Sequence, residues 1–171
     1  MREATLIEPT EEQRDRLDFA PLAERPDAAP RVARWWCDEW GLPRRHASLE
    51  AYVSELASLK ADDLPFHLLA LGGGDILGVA TLKDRNALQE LFPDFRHWLS
   101  GVYVPPAHRG RGIATALCLK MVDVAKTKGV GRLHLATEAL DGGLYAKIGW
   151  QPVRRIHLED VELLVMARDV P

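Results

Sequence analysis

The chain has 171 residues, which is about the length of one domain. Hydrophobic residues make up 47% and charged residues 27%, as in an ordinary globular protein. With 22 Lys and Arg against 25 Asp and Glu, the formal net charge of −3 argues against a nucleic-acid or anionic-membrane binder. No apolar run approaches the roughly 20 residues of a membrane helix, and the charged N-terminus does not resemble a signal peptide. We expect a cytoplasmic protein with a single domain over 1–171, in which 1–16 form a short first element or arm.

Five elements are predicted in the first half of the chain. Ser48 is a typical helix N-cap, and Gly41 and Pro43 end the helix before it. Three glycines and Asp75 between two apolar runs indicate a hairpin. The elements are a strand over 17–22, helices over 27–40 and 48–60, and strands over 66–71 and 76–82.

The second half predicts strands that alternate with helices. A strand over 98–104 ends at Pro105, and its Gly101 indicates a bulge or the close approach of another backbone. Ile113, Leu117 and Met121 share one face of a helix over 111–128. A strand over 132–137, a short helix over 141–148 and a hairpin over 150–168 follow. This order favours a mixed α/β fold, with a central twisted β-sheet of about six to seven strands flanked by helices.

The turn between the strand over 98–104 and the next helix carries the strongest chemical signal. Gly110 and Gly112 leave the backbone open where the free amide groups and dipole of a helix N-terminus favour an anion. Arg109 and Arg111 add positive charge, and Thr115 adds a hydroxyl. This pattern suits a phosphate or pyrophosphate, and a plain tight turn is the structural alternative. The spacing fits neither the Walker loop nor the G-x-G-x-x-G dinucleotide motif.

Two separate blocks of sequence carry a family resemblance. The first is Arg-Gly-Arg-Gly-Ile-Ala at 109–114, preceded by Val-Tyr-Val at 102–104, and the second is Leu-Tyr-Ala-Lys-Ile-Gly-Trp at 144–150. They resemble the R/Q-x-x-G-x-G/A signature of the GCN5-related N-acetyltransferases, the strand before that signature, and the family's later L-Y-x-K-x-G-F/W segment. The resemblance covers about 66–166, and the first 65 residues fit the family's element order only loosely.

The resemblance implies an acyl-CoA N-acyltransferase-like fold and an acetyl-CoA-dependent N-acetyltransferase. Acetyl-CoA would be the co-substrate, and the acetyl group would pass directly to an amine of a small molecule or peptide. The implied pyrophosphate site is the backbone of the signature, and the pantetheine arm would add to the edge of the preceding strand. The implied cofactor-binding residues are Val102, Tyr103, Val104, Arg109, Gly110, Arg111, Gly112, Ile113, Ala114, Thr115 and Tyr145.

One catalytic residue is implied, and a second role stays open. Tyr145 matches the tyrosine that the family uses as general acid toward the departing thiolate. A backbone amide near Tyr103–Val104 would stabilise the oxyanion that forms when the amine attacks the thioester. The amine must also lose a proton, because only about one in 10³ of lysine-like amines is neutral at pH 7. The sequence does not choose among four candidate bases, Asp84, Glu90, Asp94 and His97.

Other residue patterns favour structural explanations over functional ones. The six histidines show no metal-ligand spacing, and no metal is expected. Cys37 and Cys118 lie far apart in apolar, helix-like stretches, where small buried hydrophobes are the preferred interpretation. Trp35, Trp36 and Trp40 lie on the first predicted helix, where core packing is preferred over an aromatic wall of an acceptor pocket.

An alternative function and two properties stay open. A non-catalytic acyl-CoA-binding regulatory module with the same fold is the alternative to an enzyme, since the sequence identifies no unique base. Family members often form homodimers, and no feature of the sequence decides this. The acceptor amine is equally open among peptide N-termini, lysines, polyamines, aminoglycosides and amino acids.

Overall fold

A computed structural model describes residues 16–171, so nearly all of the N-terminal arm predicted over 1–16 lies outside the described residues. Seven strands form one open sheet in the order β1-β2-β3-β4-β5-β7-β6. Neighbouring strands are antiparallel except β4 and β5, which are parallel, so the mixed sheet is confirmed. The strands are β1 (Asp18–Pro21), β2 (Phe66–Gly72), β3 (Asp75–Lys83), β4 (Trp98–Tyr103), β5 (Arg132–Thr137), β6 (Gln151–Leu158) and β7 (Val161–Asp169). The α-helices are α1 (Ala29–Trp40), α2 (Leu49–Ala57), α3 (Ile113–Thr127) and α4 (Gly143–Lys147).

Helices cover both faces of the sheet, which explains why β2 and β3 are almost continuously apolar. One buried cluster joins α3 to the sheet through residues such as Leu117 and Met121. A second cluster packs α1 and α2 on the opposite face through Val32 and Leu56. None of the helices within residues 16–171 is long and apolar enough to cross a lipid bilayer.

Two predicted helices are shorter than expected because glycines set their first residues. Gly112 has a φ of +74° and precedes α3, which begins at Ile113 and not at residue 111. Gly142 has a φ of +85° and precedes α4 in the same way. A Cβ at Gly142 would lie 2.8 Å from the Ala146 Cβ and 2.9 Å from the Met166 Cε. Only glycine therefore lets α4 begin this close to β7.

Of the two alternatives predicted at Gly101, the structure has the bulge. Val79 pairs with Tyr103 and Thr81 pairs with Ser100, so β4 carries one residue more than β3 between these two pairs. Gly101 has a φ of +56°, and a Cβ there would lie 3.2 Å from the Trp36 ring and from the Thr81 Oγ1. The bulge is anchored to α1, because the Trp36 Nε1 donates to the Gly101 carbonyl at 3.0 Å.

Candidate active site

The two parallel strands separate just after they meet. Trp98 of β4 pairs with His134 of β5, and no further pair follows along these strands. A cavity of about 430 Å³ occupies the resulting gap, between 99–102 of β4 and 135–137 of β5. The gap opens toward the carboxyl ends of both strands, which is where open α/β sheets bind ligands. We call this cavity the gap.

Tyr145 lies on α4 and lines the gap. Its ring meets the buried Trp150 edge-on, with 6.2 Å between the ring centroids, so the side chain has a fixed support. Burial raises the pKa of the Tyr145 phenol, and the nearby Cys118 thiol adds to this rise. The phenol is protonated at neutral pH, as any tyrosine of ordinary pKa is, and the raised pKa makes it a weaker acid than an exposed tyrosine.

A smaller cavity of about 240 Å³ lies at the glycine turn before α3. Gly110 and Gly112 both have a φ of +74°, and a Cβ at either position would meet only open space. No side chain within residues 16–171 caps α3, so the amide groups of its first turn face this cavity without a side-chain acceptor. We call this site the cradle; its lining residues are Val104, His108, Arg109, Gly110, Gly112, Ile113, Ala114 and Thr115.

The two arginines of the cradle differ in their contacts. The Arg109 Nε donates to the Val104 carbonyl at 2.8 Å, and its guanidinium lies 5.8 Å from the centre of the Tyr103 ring. Arg109 therefore stabilises the conformation of the turn and also contributes positive charge. Arg111 is exposed, and its Nη1 lies 3.5 Å from the His108 Nδ1.

The three predicted strand contacts lie in different surroundings. Val102 lines the gap, and Val104 lines the cradle, where its carbonyl already accepts the bond from Arg109. Tyr103 turns to the other face of the sheet and packs on Trp35, with 5.6 Å between ring centroids. Successive side chains of a strand point to opposite faces of the sheet, so Val102 and Val104 share one face and Tyr103 lies on the other.

The four candidate bases lie in or beside the loop before β4. Asp84 is held by Arg96, with an Nη2–Oδ1 distance of 2.6 Å, and the His97 Nε2 lies 3.7 Å from the same oxygen. Glu90 and Asp94 are exposed. Other polar residues line the gap and belong to none of the sequence motifs described above: Glu39, Asn86 and Glu138.

A third cavity, of about 270 Å³, lies on the α1–α2 face of the sheet. It shares Trp40, Ser100 and Gly101 with the gap. We call it the α1–α2 cavity. Its polar residues come from separate elements and follow no sequence motif: Arg45, Glu55, His67, Thr81, Lys83 and Ser100.

The tryptophans of α1 serve both the core and these cavities. Trp36 is buried and packs with Tyr52, with 6.4 Å between ring centroids, and it also lines the α1–α2 cavity. Trp40 is 57% exposed and lines both this cavity and the gap. The preference for core packing is therefore right for Trp36 and wrong for Trp40, whose place at the end of α1 leaves it outside the core.

Within the described residues, the two cysteines are free and no cluster of metal-ligating side chains is present. Cys118 is fully buried, and burial raises the pKa of its thiol to about 12, so it behaves as a core residue. Cys37 is half-buried and also free. No group of three His, Cys, Asp or Glu side chains within residues 16–171 could hold a metal ion.

Comparison with known proteins agrees with this geometry. Residues 29–150 match the family model described as the acetyltransferase (GNAT) family. The chain therefore belongs to the GNAT acetyltransferase family, whose members use acetyl-CoA as co-substrate. No curated protein sequence matches the chain significantly.

Solved structures share the fold at low sequence identity. The yncA protein of Salmonella typhimurium, solved with its cofactor acetyl-CoA, is 19% identical, with a TM-score of 0.67 over 91% of this chain and 94% of that one. An N-acetyltransferase from Staphylococcus aureus Mu50 is 16% identical, with a TM-score of 0.70 over 91% and 99%. The ribosomal-protein-alanine N-acetyltransferase of Brucella melitensis is 20% identical, with a TM-score of 0.67 over 90% and 99%.

Proposed function

We propose that this protein transfers an acetyl group from acetyl-CoA directly to the amine of a small molecule or peptide. The observation that carries the proposal is the gap, which opens where β4 leaves β5 and is lined by Tyr145. Such a gap exposes strand backbone to an extended ligand arm, in the manner of an added strand. The cradle follows on the same chain segment, at the start of α3.

The cradle fits a pyrophosphate by its backbone. The first-turn amide groups of α3 supply donors, and the helix dipole places partial positive charge there. Gly110 and Gly112 leave the approach open, and Arg111 adds a mobile positive charge at the surface. We assign pyrophosphate binding to 109–115 and contacts with the pantetheine arm to Val102 and its neighbours on β4.

Tyr145 supplies the proton that the reaction needs on sulfur. The new N–C bond forms as the C–S bond breaks, and Tyr145 donates its proton to the leaving thiolate. The ammonium acceptor gives up two protons in total: one replaces the proton that Tyr145 donated, and the other goes to solvent. A thiol such as cysteine has a pKa of about 8.5 in water, below the value of about 10 for tyrosine. Burial raises the pKa of Tyr145 and makes the phenol a weaker acid, so the proposed transfer requires that the thiolate also loses its hydration in the gap and becomes more basic.

The alternative is a module that binds acyl-CoA and regulates a partner without turnover. Two measurements separate the possibilities. Thermal unfolding with acetyl-CoA and with CoA reports binding, and thiol release with a panel of amines reports transfer. The proposed enzyme is stabilised by both coenzymes and releases CoA in the presence of at least one amine class. Stabilisation without amine-dependent release supports the binding module, and failure of both overturns the proposal.

Three properties stay predictions. They are the single-domain boundary over 1–171, the cytoplasmic location and the oligomeric state, for which a homodimer is one option and the sequence does not decide. The open choice of base now includes Glu39 and Glu138 of the gap beside Asp84, Glu90, Asp94 and His97.

A further inference from the structure

The α1–α2 cavity combines apolar walls with fixed charges. Trp36, Trp40 and Tyr52 provide aromatic surface, and the Trp36 and Tyr52 rings stack at an interplanar angle of 29°. Flat, rigid aromatic walls favour an apolar group on the ligand. At about 270 Å³, the cavity suits a compact molecule.

The charges that line this cavity do not cancel. The Arg45 Nη2 and the Glu55 Oε1 lie 2.7 Å apart, so these two residues form a pair. Lys83 has no ion-pair partner within 4.0 Å among residues 16–171. Burial lowers the pKa of the Lys83 amine, and Arg45 lowers it further, while Glu55 opposes them. An anionic ligand would relieve this unfavourable environment, because a poorly hydrated cation is stabilised by a counter-charge.

Polar atoms without partners lie among the lining residues. His67, Thr81 and Ser100 form a row across β2, β3 and β4, and the His67 Nδ1 lies 2.7 Å from the Thr81 Oγ1. The His67 Nε2 and the Ser100 Oγ are buried and have no hydrogen-bond partner within residues 16–171. Burial holds the pKa of His67 at about 3, so this side chain adds no charge that competes with Lys83. The row supplies neutral hydrogen-bonding groups beside one cation.

The two neighbouring cavities carry opposite charges. Lys83 lines the α1–α2 cavity, whereas Glu39 and Glu138 line the gap. The two cavities share Trp40, Ser100 and Gly101 as lining residues. A zwitterionic molecule would therefore orient with its ammonium group toward the gap and its anionic group toward Lys83.

We propose that the acceptor is a primary amine that also carries a carboxylate and an apolar side chain, as an apolar amino acid does. Its carboxylate binds Lys83, and its side chain lies against the aromatic walls of the α1–α2 cavity. This inference rests on the proposed acetyl transfer. It disfavours polyamines and aminoglycosides, because an additional cation would meet Lys83 with no free carboxylate beside it.

The first test measures binding without turnover. Calorimetry compares 3-phenylpropanoate with 3-phenylpropanamide, which differ in charge and scarcely in shape. We expect the acid to bind the unaltered protein at least about 10-fold more tightly, the size of a charge-assisted contact. Lys83→Met should remove this preference, and Lys83→Arg should keep most of it. Lys126→Met is the matched control, because Lys126 is exposed in the last turn of α3 and its loss changes the net charge equally.

Four outcomes of the binding test overturn the proposal, three of them in the comparison of acid with amide. These three are equal binding of acid and amide, absence of binding by both, and a preference for the acid that survives Lys83→Met. A Lys83→Arg protein as poor as Lys83→Met also contradicts it, because a cation at this position is what the proposal requires.

The second test measures turnover with L-phenylalanine and 2-phenylethylamine in the presence of acetyl-CoA. We expect kcat/KM at least about 10-fold higher for the amino acid, with the difference lost in Lys83→Met. If both amines react equally, acetyl transfer stands and the carboxylate assignment fails. If neither releases CoA and acetyl-CoA does not bind, the proposed function fails, and the binding test still decides the assignment of Lys83.

Discussion

The proposed cofactor side and the proposed acceptor side of this molecule are built in different ways. The cofactor side, formed by the cradle and the gap, uses backbone: a bulge at Gly101, two glycines in the turn, and the separation of β4 from β5. The acceptor side is the α1–α2 cavity, and it uses side chains from α1, α2 and three strands. A ligand common to a whole family can be held by main-chain atoms, whereas a ligand particular to one member requires side chains.

The difference also determines which amino-acid substitutions each side tolerates. Backbone geometry depends on a few glycines whose positive φ other residues adopt only at a cost. The α1–α2 cavity depends on charges and ring faces that can be exchanged singly without altering the strands. The following predictions test the two sides separately.

The largest expected effect is on catalysis at the gap. Tyr145→Phe should lower kcat by roughly 10–10⁴-fold, because the thiolate loses its proton donor. The aromatic contact with Trp150 is retained, so thermal stability and acetyl-CoA affinity should change little. Steady-state kinetics with a reactive amine measures the effect, and an unchanged kcat would remove Tyr145 from its catalytic role.

The next effect is on folding, at the bulge between the two sides. Gly101→Ala should lower the free energy of unfolding by about 2–4 kcal/mol, because a positive φ is strained and the Cβ crowds the Trp36 ring. Gly74→Ala is the control, since Gly74 has a φ of +87° and open space around its Cβ position. Gly74→Ala should lower the free energy of unfolding only through the strained backbone, by about 1–2 kcal/mol. Equal losses in urea titrations would mean that packing against Trp36 is not tight.

Lowering the pH should lower the free energy of unfolding through His67, which lies on the acceptor side. Burial lowers the pKa of His67 to about 3, so the unfolded chain holds one more proton than the folded protein between that pH and about 6.5. Stability contributed by the neutral imidazole is therefore lost as the pH falls, by about 2–3 kcal/mol at about pH 4.5. His67→Gln should lose correspondingly less stability between pH 7 and pH 4.5 in urea titrations. If both proteins lost the same free energy of unfolding between pH 7 and pH 4.5, the buried neutral His67 would not be the cause of the pH dependence.

The smallest expected effect concerns the cradle. Gly112 and Gly129 flank α3, and both have a φ of +74° with open space around the Cβ position. Gly112→Ala and Gly129→Ala should therefore lower the free energy of unfolding by the same amount, about 1–2 kcal/mol. Only Gly112→Ala should weaken acetyl-CoA binding, by about 10-fold, because its methyl group enters the cradle. Equal affinities for acetyl-CoA in the two variants would place the pyrophosphate elsewhere.

The cofactor side was largely predictable from sequence, since its chemistry is local. The strand over 98–104, the bulge at Gly101 and the helix near 111 follow from glycine, proline and apolar spacing within one segment. The polar part of the acceptor side was not predictable, because His67, Lys83 and Ser100 come together only through strand register. The tryptophans of the first predicted helix signalled its aromatic part, since Trp36 and Trp40 line the α1–α2 cavity.

Some predicted helix boundaries differ from the structure by two or three residues. The helix predicted from residue 111 begins at Ile113, because Gly112 adopts a left-handed conformation that precedes the helix. The helix predicted to residue 60 ends at Ala57 with a Ser58 cap, a choice that propensity alone does not make. The separation of β4 and β5 has no sequence signature, since strand pairing is a long-range property.

The most direct test of the central claim is a crystal structure of the protein with acetyl-CoA. We predict the pyrophosphate on the backbone of 109–115, the thioester in the gap beside Tyr145, and the acetyl group directed toward Trp40 and Gly101, which line both the gap and the α1–α2 cavity. A coenzyme bound outside the gap, or with its thioester remote from Tyr145, would contradict the assignment of the active site.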